Sequence, residues 1–124
     1  MLRQAAAAGA ALGLLVSVPV QAEECLDSET MMAARLHEFS AIMLTVTLRC
    51  RAIGVDIVPR YEEMLRVHAP AINASVRRLR NYFSKSTHAF DNYTTALGNR
   101  YGGGATDPAN CRRFEKVSAD LALA

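Results

Sequence analysis

Three histidines (His37, His68, His88), four methionines past the first residue (Met31, Met32, Met43, Met64) and three cysteines (Cys25, Cys50, Cys111) are the side chains able to ligate a metal or cross-link the chain. Imidazole nitrogen binds haem iron and most transition metals, and thioether sulfur binds the softer ones. The methionines lack the clustered M-x-x-M spacing of a copper site, and an unbranched thioether is equally a filler of apolar cores. His37 and His68 each lie beside or within an apolar stripe. There, a bond to a backbone carbonyl or to water is a plainer expectation than metal ligation. The cysteines form no C-x-x-C and no C-x-x-C-H, so a dithiol redox motif and covalent haem attachment are both missing. From these residues no metal and no cofactor is expected.

Catalytic constellations are equally thin. His88 and Asp91, with Ser84, Ser86 or Thr87, supply the pieces of a nucleophile and a base, but as sequence neighbours on one turn. No G-x-S-x-G or H-E-x-x-H occurs. Gly102-Gly103-Gly104 ahead of a helix start resembles a phosphate loop only in composition. Asp107 occupies that helix start, Pro108 removes one of its amides, and no G-x-x-x-x-G-K-[ST] is present. Enzymatic activity is therefore not expected. Arg77, Arg78 and Arg80, with Lys85 close by, make a local basic face that would suit an anionic lipid, a cell-wall polymer or an acidic partner, or would simply be a solvated helix surface.

The compartment follows from the start of the chain. Arg3 precedes an apolar run, Ala5–Val20, which closes on Val20-Gln21-Ala22 ahead of Glu23-Glu24. A basic start, an apolar middle and a small-x-small end form the pattern of a secretory signal peptide cleaved after Ala22. Sixteen residues of helix span about 24 Å, short of a hydrocarbon core of about 30 Å, so the run is no transmembrane anchor. The expectation is a periplasmic or secreted protein with a single domain over residues 23–124. Without Arg3, 13 basic residues face 12 acidic ones. That near-neutral balance, like the compartment, argues against nucleic acid as a partner. In an oxidising compartment two of the three cysteines pair and one is left over.

The remainder reads as helix, which makes the fold class all-α. Met32, Leu36, Phe39, Met43, Val46 and Cys50 recur at steps of four and three, and predict a helix over 28–51 that Asp27 or Ser28 caps. Ile57, Tyr61, Leu65, His68, Ile72, Val76, Leu79 and Phe83 keep phase across Pro70. They predict one kinked helix over 57–84, with two helices broken at Ala69-Pro70 as the alternative. Phe90, Tyr93 and Leu97 mark a helix over 87–101, ended by a left-handed glycine at 102–104. Asp107-Pro108 opens a last helix over 108–121.

Four helices on short turns favour a small antiparallel bundle. Its topology puts the end of the first helix and the start of the fourth at one pole, so Cys50–Cys111 is the expected disulfide and Cys25 the free or intermolecular thiol. A pair of shorter helices in place of 57–84 would change the direction count and make Cys25–Cys111 a competing pairing.

In length, helix count and compartment the chain resembles the small periplasmic b-type cytochromes, which would imply a haem held by His37 or His68 with a second histidine or with Met32, Met43 or Met64. Those proteins place a ligand on the last helix, which here has neither His nor Met. The expected function is a non-catalytic interaction or accessory module of the cell envelope, binding an envelope protein or itself. A carrier of a small ligand, haem or metal, and a periplasmic stress chaperone, are the alternatives.

Overall fold

A computed structural model describes residues 25–124. The leader expected over residues 1–22, and its cleavage after Ala22, lie outside the described residues. Within them the chain forms four helices: α1 (Ser28–Ala52), α2 (Val58–Tyr82), α3 (Ala89–Tyr101) and α4 (Pro108–Ala122). No strand occurs among the described residues, and the fold is the small helical bundle expected.

Local chemistry sets the boundaries. The Asp27 carboxylate accepts the Thr30 N–H at 2.7 Å and caps α1. At its other end the Gly54 N–H bonds the Arg51 carbonyl and the Val55 N–H bonds the Cys50 carbonyl. This paired closure needs a left-handed residue, which Gly54 supplies at φ +84°. Asp56 accepts the Val58 N–H at 3.0 Å, and Pro59 sits in the first turn of α2, where its missing N–H costs nothing. Helix α2 runs unbroken through Pro70. That proline is exposed, and it removes the amide partner of the Arg66 carbonyl. The third boundary departs from expectation. Gly102 ends α3 in the right-handed region at φ −75°, and the left-handed residue is Gly104 at φ +105°. Gly102 is needed for closeness instead, since a side-chain carbon there would lie 2.7 Å from the Gly98 carbonyl oxygen.

The helices alternate in direction. The lower pole is fixed by Arg78, late in α2, bonding Asp27 at the start of α1. The upper pole is fixed by the disulfide from Cys50, late in α1, to Cys111, early in α4. Helix α1 packs against all three others and α4 lies along α2, while α3 leans on α1 from the far side. The apolar core forms two clusters. Val46, Val55, Ile57 and the disulfide make the upper one, and Met43, Tyr61 and Met64 the middle one, with Phe114 of α4 packed against both. Each such side chain contributes about 1.5–3 kcal/mol on burial.

Lengths decide what happens below. Helices α1 and α2 have 25 residues each and α4 has 15. At 1.5 Å per residue, α4 covers about 22 Å of a pair about 37 Å long. It stops where the Leu121 carbonyl meets His68 Nε2 at 2.7 Å. The lower part of the α1–α2 pair has no third helix on that side.

Candidate interaction surface

The uncovered stretch is a slot. Its walls carry Met32, Leu36 and Arg35 from α1 and Arg78 from α2. Its floor is made of small residues: Ala33, Ala71, Ala74 and Ser75. Its volume is about 560 Å³ and it is open to solvent along its length. The slot continues upward into a smaller apolar recess of about 120 Å³ beneath the end of α4, which shares Leu36 and Ala71 and adds Phe39, Met64 and Ile72. Ser40 lines this recess with a buried Oγ that has no hydrogen-bond partner, a state costing about 1–3 kcal/mol unless water or a ligand meets it.

Sequence periodicity placed Met32 at the start of the core stripe. The structure corrects this: Met32 is 64% exposed, and Phe39 is 37% exposed. The stripe itself is real, but the helix that would cover its first turns is too short. The bundle instead uses small polar residues for close approach. Thr30, Thr47, Ser75 and Ser118 are all buried, and the last three donate their hydroxyls to carbonyls of their own helices, at Met43, Ile72 and Phe114. A hydroxyl that turns back on its own helix is buried cheaply. No apolar pattern marks such positions.

The three arginines read as a basic face do not act together: two are engaged with different groups and one is free among the described residues. Arg78 bonds the Asp27 carboxylate at 3.1 Å and Glu29 at 3.3 Å. It also donates to the Thr30 hydroxyl at 3.2 Å. The Thr30 backbone N–H, then its hydroxyl, and lastly Arg78 hold the Asp27 carboxyl below the usual carboxylate range. Arg80 stacks over the Phe90 ring, 4.5 Å from its centroid. Arg77 stands exposed with no ion-pair partner among the described residues. Arg35, on the slot wall, is likewise unpaired among the described residues.

The histidines take up structural bonds. His68 Nε2 is engaged with the Leu121 carbonyl, so the ring ties α4 to α2. His37 sits half-buried against Phe90 and Tyr93, with its Nε2 3.1 Å from the Thr94 hydroxyl. Burial pushes its pKa down. His88 is exposed and precedes the first turn of α3. No group of three or more His, Cys, Asp or Glu side chains among the described residues is placed to hold a metal ion.

At the upper pole the fully buried Cys50 and Cys111 are 5.7 Å apart between Cα atoms and bonded. Cys25 is free and exposed just before α1. Sequence reasoning missed Arg49, which clamps the α3–α4 loop. Its Nε donates to the Thr106 hydroxyl and its two terminal nitrogens to the carbonyls of Tyr101 and Ala105, each at 3.0 Å. Its position late in α1 also sets its charge against the negative end of the helix. Below it, Tyr101 donates its phenolic hydrogen to Glu38. None of the described helices is long and apolar enough to cross a membrane. No known protein family matches the chain, and no curated protein or solved structure shows significant similarity to it.

Proposed function

We propose that this protein is a non-catalytic interaction module of the bacterial cell envelope, exported by its leader to the periplasm or beyond, and that the α1–α2 slot is its docking face. The observation carrying this reading is the slot itself. A groove floored by alanine and serine, walled by Met32 and Leu36 and rimmed by charge has the form in which one helix receives another. Helix α4 already occupies the upper half of the same groove, with Phe114 against both apolar clusters and Ser118 fully buried. Apolar surface left open along a defined path is the usual mark of an interaction site. The compartment is supported by the leader pattern and by the buried disulfide, which persists in oxidising surroundings.

Two experiments test the reading. Protein expressed with its leader in a bacterial host should be recovered with the mass of residues 23–124 less two hydrogens. Recovery with the leader intact, from the cytoplasm, would remove the compartment. Ala74→Arg fills the slot floor with a charge while touching no core cluster. It should abolish capture of the partner at unchanged helix content and melting temperature, whereas a partner held equally by both forms would show that the slot is not the docking face.

A further inference from the structure

We propose that the open half of the slot receives a second copy of this chain, the two α1–α2 pairs lapping antiparallel about a two-fold axis at the level of Met32. This rests on the docking reading above and names its partner.

The stepped shape is the first support. Helix α4 covers only the upper part of the pair, so each molecule is thick above and thin below. The step is ten residues, about 15 Å deep. A copy turned end for end lays its thin half on this one, and its α4 then falls beyond the lower pole without collision. One two-fold operation closes both steps, as an isologous contact requires.

Charge sets the direction. Glu29 and Arg35 both line the slot, three residues on either side of Met32. Two α1 helices crossing antiparallel at Met32 bring Glu29 of each copy opposite Arg35 of the other. A parallel crossing would instead set Glu29 on Glu29 and Arg35 on Arg35. Arg35 has no carboxylate partner among the described residues, and the antiparallel lap would add it to the Glu29 carboxylate, which in its own chain already pairs with Arg78 at 3.3 Å. On α2 the facing residues, Ala71, Ala74 and Ser75, are small enough for close approach of backbones. Met32, exposed and flexible, is suited to fill what remains.

The lap is distinct from a cross-link through Cys25. That residue lies before the start of α1, outside the lapped stretch, and the contact does not use it. The contact is also small. About 15 Å of two helices, each about 10 Å wide, gives roughly 300 Å² of facing surface, below the ~800 Å² per partner of a standard interface. The dimer is correspondingly weak and transient.

Sedimentation velocity and equilibrium on the disulfide-bonded full chain, from about 10 μM to about 1 mM, test this directly. The expected result is a reversible monomer–dimer equilibrium. Glu29→Arg and Arg35→Glu should each weaken it by about tenfold, and the double reversal should restore it. Met32→Asp should abolish it. All three positions are exposed, and circular dichroism checks that each variant stays folded. A monomer at every concentration overturns the proposal. So does a dimer indifferent to the charge reversals, or one that vanishes with Cys25→Ser or with removal of residues 1–22. A monomeric chain whose Ala74→Arg variant still loses another partner leaves the docking reading standing and removes this one alone.

Discussion

Reducing or deleting the Cys50–Cys111 bond should remove much of the stability of this fold. The bond joins residues separated by 61 positions. In the chain-entropy description, closing a loop of that length lowers the freedom of the unfolded chain by about 4 kcal/mol at room temperature. A domain of this size has about 5–15 kcal/mol in all. Near 100 residues each kcal/mol shifts the melting temperature by about 4–8 °C, so the loss should read as roughly 15–30 °C.

Single and double variants give the decisive comparison. Cys50→Ala or Cys111→Ala removes the whole cross-link, and the double variant then removes only one more buried sulfur, a further cost of about 1 kcal/mol. Independent contributions would instead sum to about 8 kcal/mol, which would leave the chain unfolded. Cys25→Ala, at an exposed position, should stay within about 0.5 kcal/mol of the parent. The assay is thermal and urea unfolding followed by circular dichroism without reductant, with the parent under dithiothreitol, which keeps both buried sulfurs, falling slightly above the single variants. Three similar and additive losses, with Cys25→Ala among them, would refute the topology as well as the bond.

Arg49→Met should cost about 2 kcal/mol and raise hydrogen exchange across residues 102–106, because three loop acceptors lose one guanidinium; unchanged exchange there would show that the loop holds itself. Ser118→Leu should cost about 1–3 kcal/mol by overpacking where α4 meets its neighbours, whereas Ser118→Ala stays near the parent; equal stability of the two in urea would contradict the close approach. Stability should also fall on acidification in two stages. Burial lowers the His37 pKa, so the neutral ring is favoured by folding and its contribution is lost as pH drops below about 6.5. Asp27 has a depressed carboxyl pKa, so its contribution survives until pH falls below about 4. His37→Gln should flatten the first stage and leave the second, and a profile that this substitution does not change would refute the assignment.

Elements with strong local chemistry could be read from sequence alone. Asp27 and Asp107-Pro108 each state a boundary in side-chain or backbone terms that tertiary packing did not override. Phase retained across Pro70 foretold a single α2, and α2 as a single helix decided the disulfide, since the direction count depends on it. The candidate site was harder. Periodicity says which residues share a face and nothing about the length of the helix that will lie on it. Met32 and Met43 belong to one stripe and differ only in whether α4 reaches them, leaving one 64% exposed and the other fully buried. Arg49 and Arg78 were opaque for a related reason. Their partners lie about 50 residues away in the chain, on loops and caps that no spacing rule connects.

The mismatch in helix length therefore has two consequences. The apolar clusters end where α4 ends, so the disulfide and the Arg49 clamp concentrate rigidity at the upper pole. The lower pole rests on Leu79, small residues, the half-buried rings of Phe83, Phe90 and Tyr93 on the α3 side and the exposed Arg78 pairs, and surface ion pairs contribute at most about 1 kcal/mol each. Extending α4 by three turns would have buried Met32, Leu36 and the alanine floor and strengthened the weaker pole. A helix that stops short leaves that surface available and the pole less stable. Anything that fills the slot must therefore also stabilise the lower pole. Occupancy should raise hydrogen-exchange protection in residues 28–36 and 71–82 more than in residues 43–50 or 111–118. Uniform protection on binding would place the contact elsewhere.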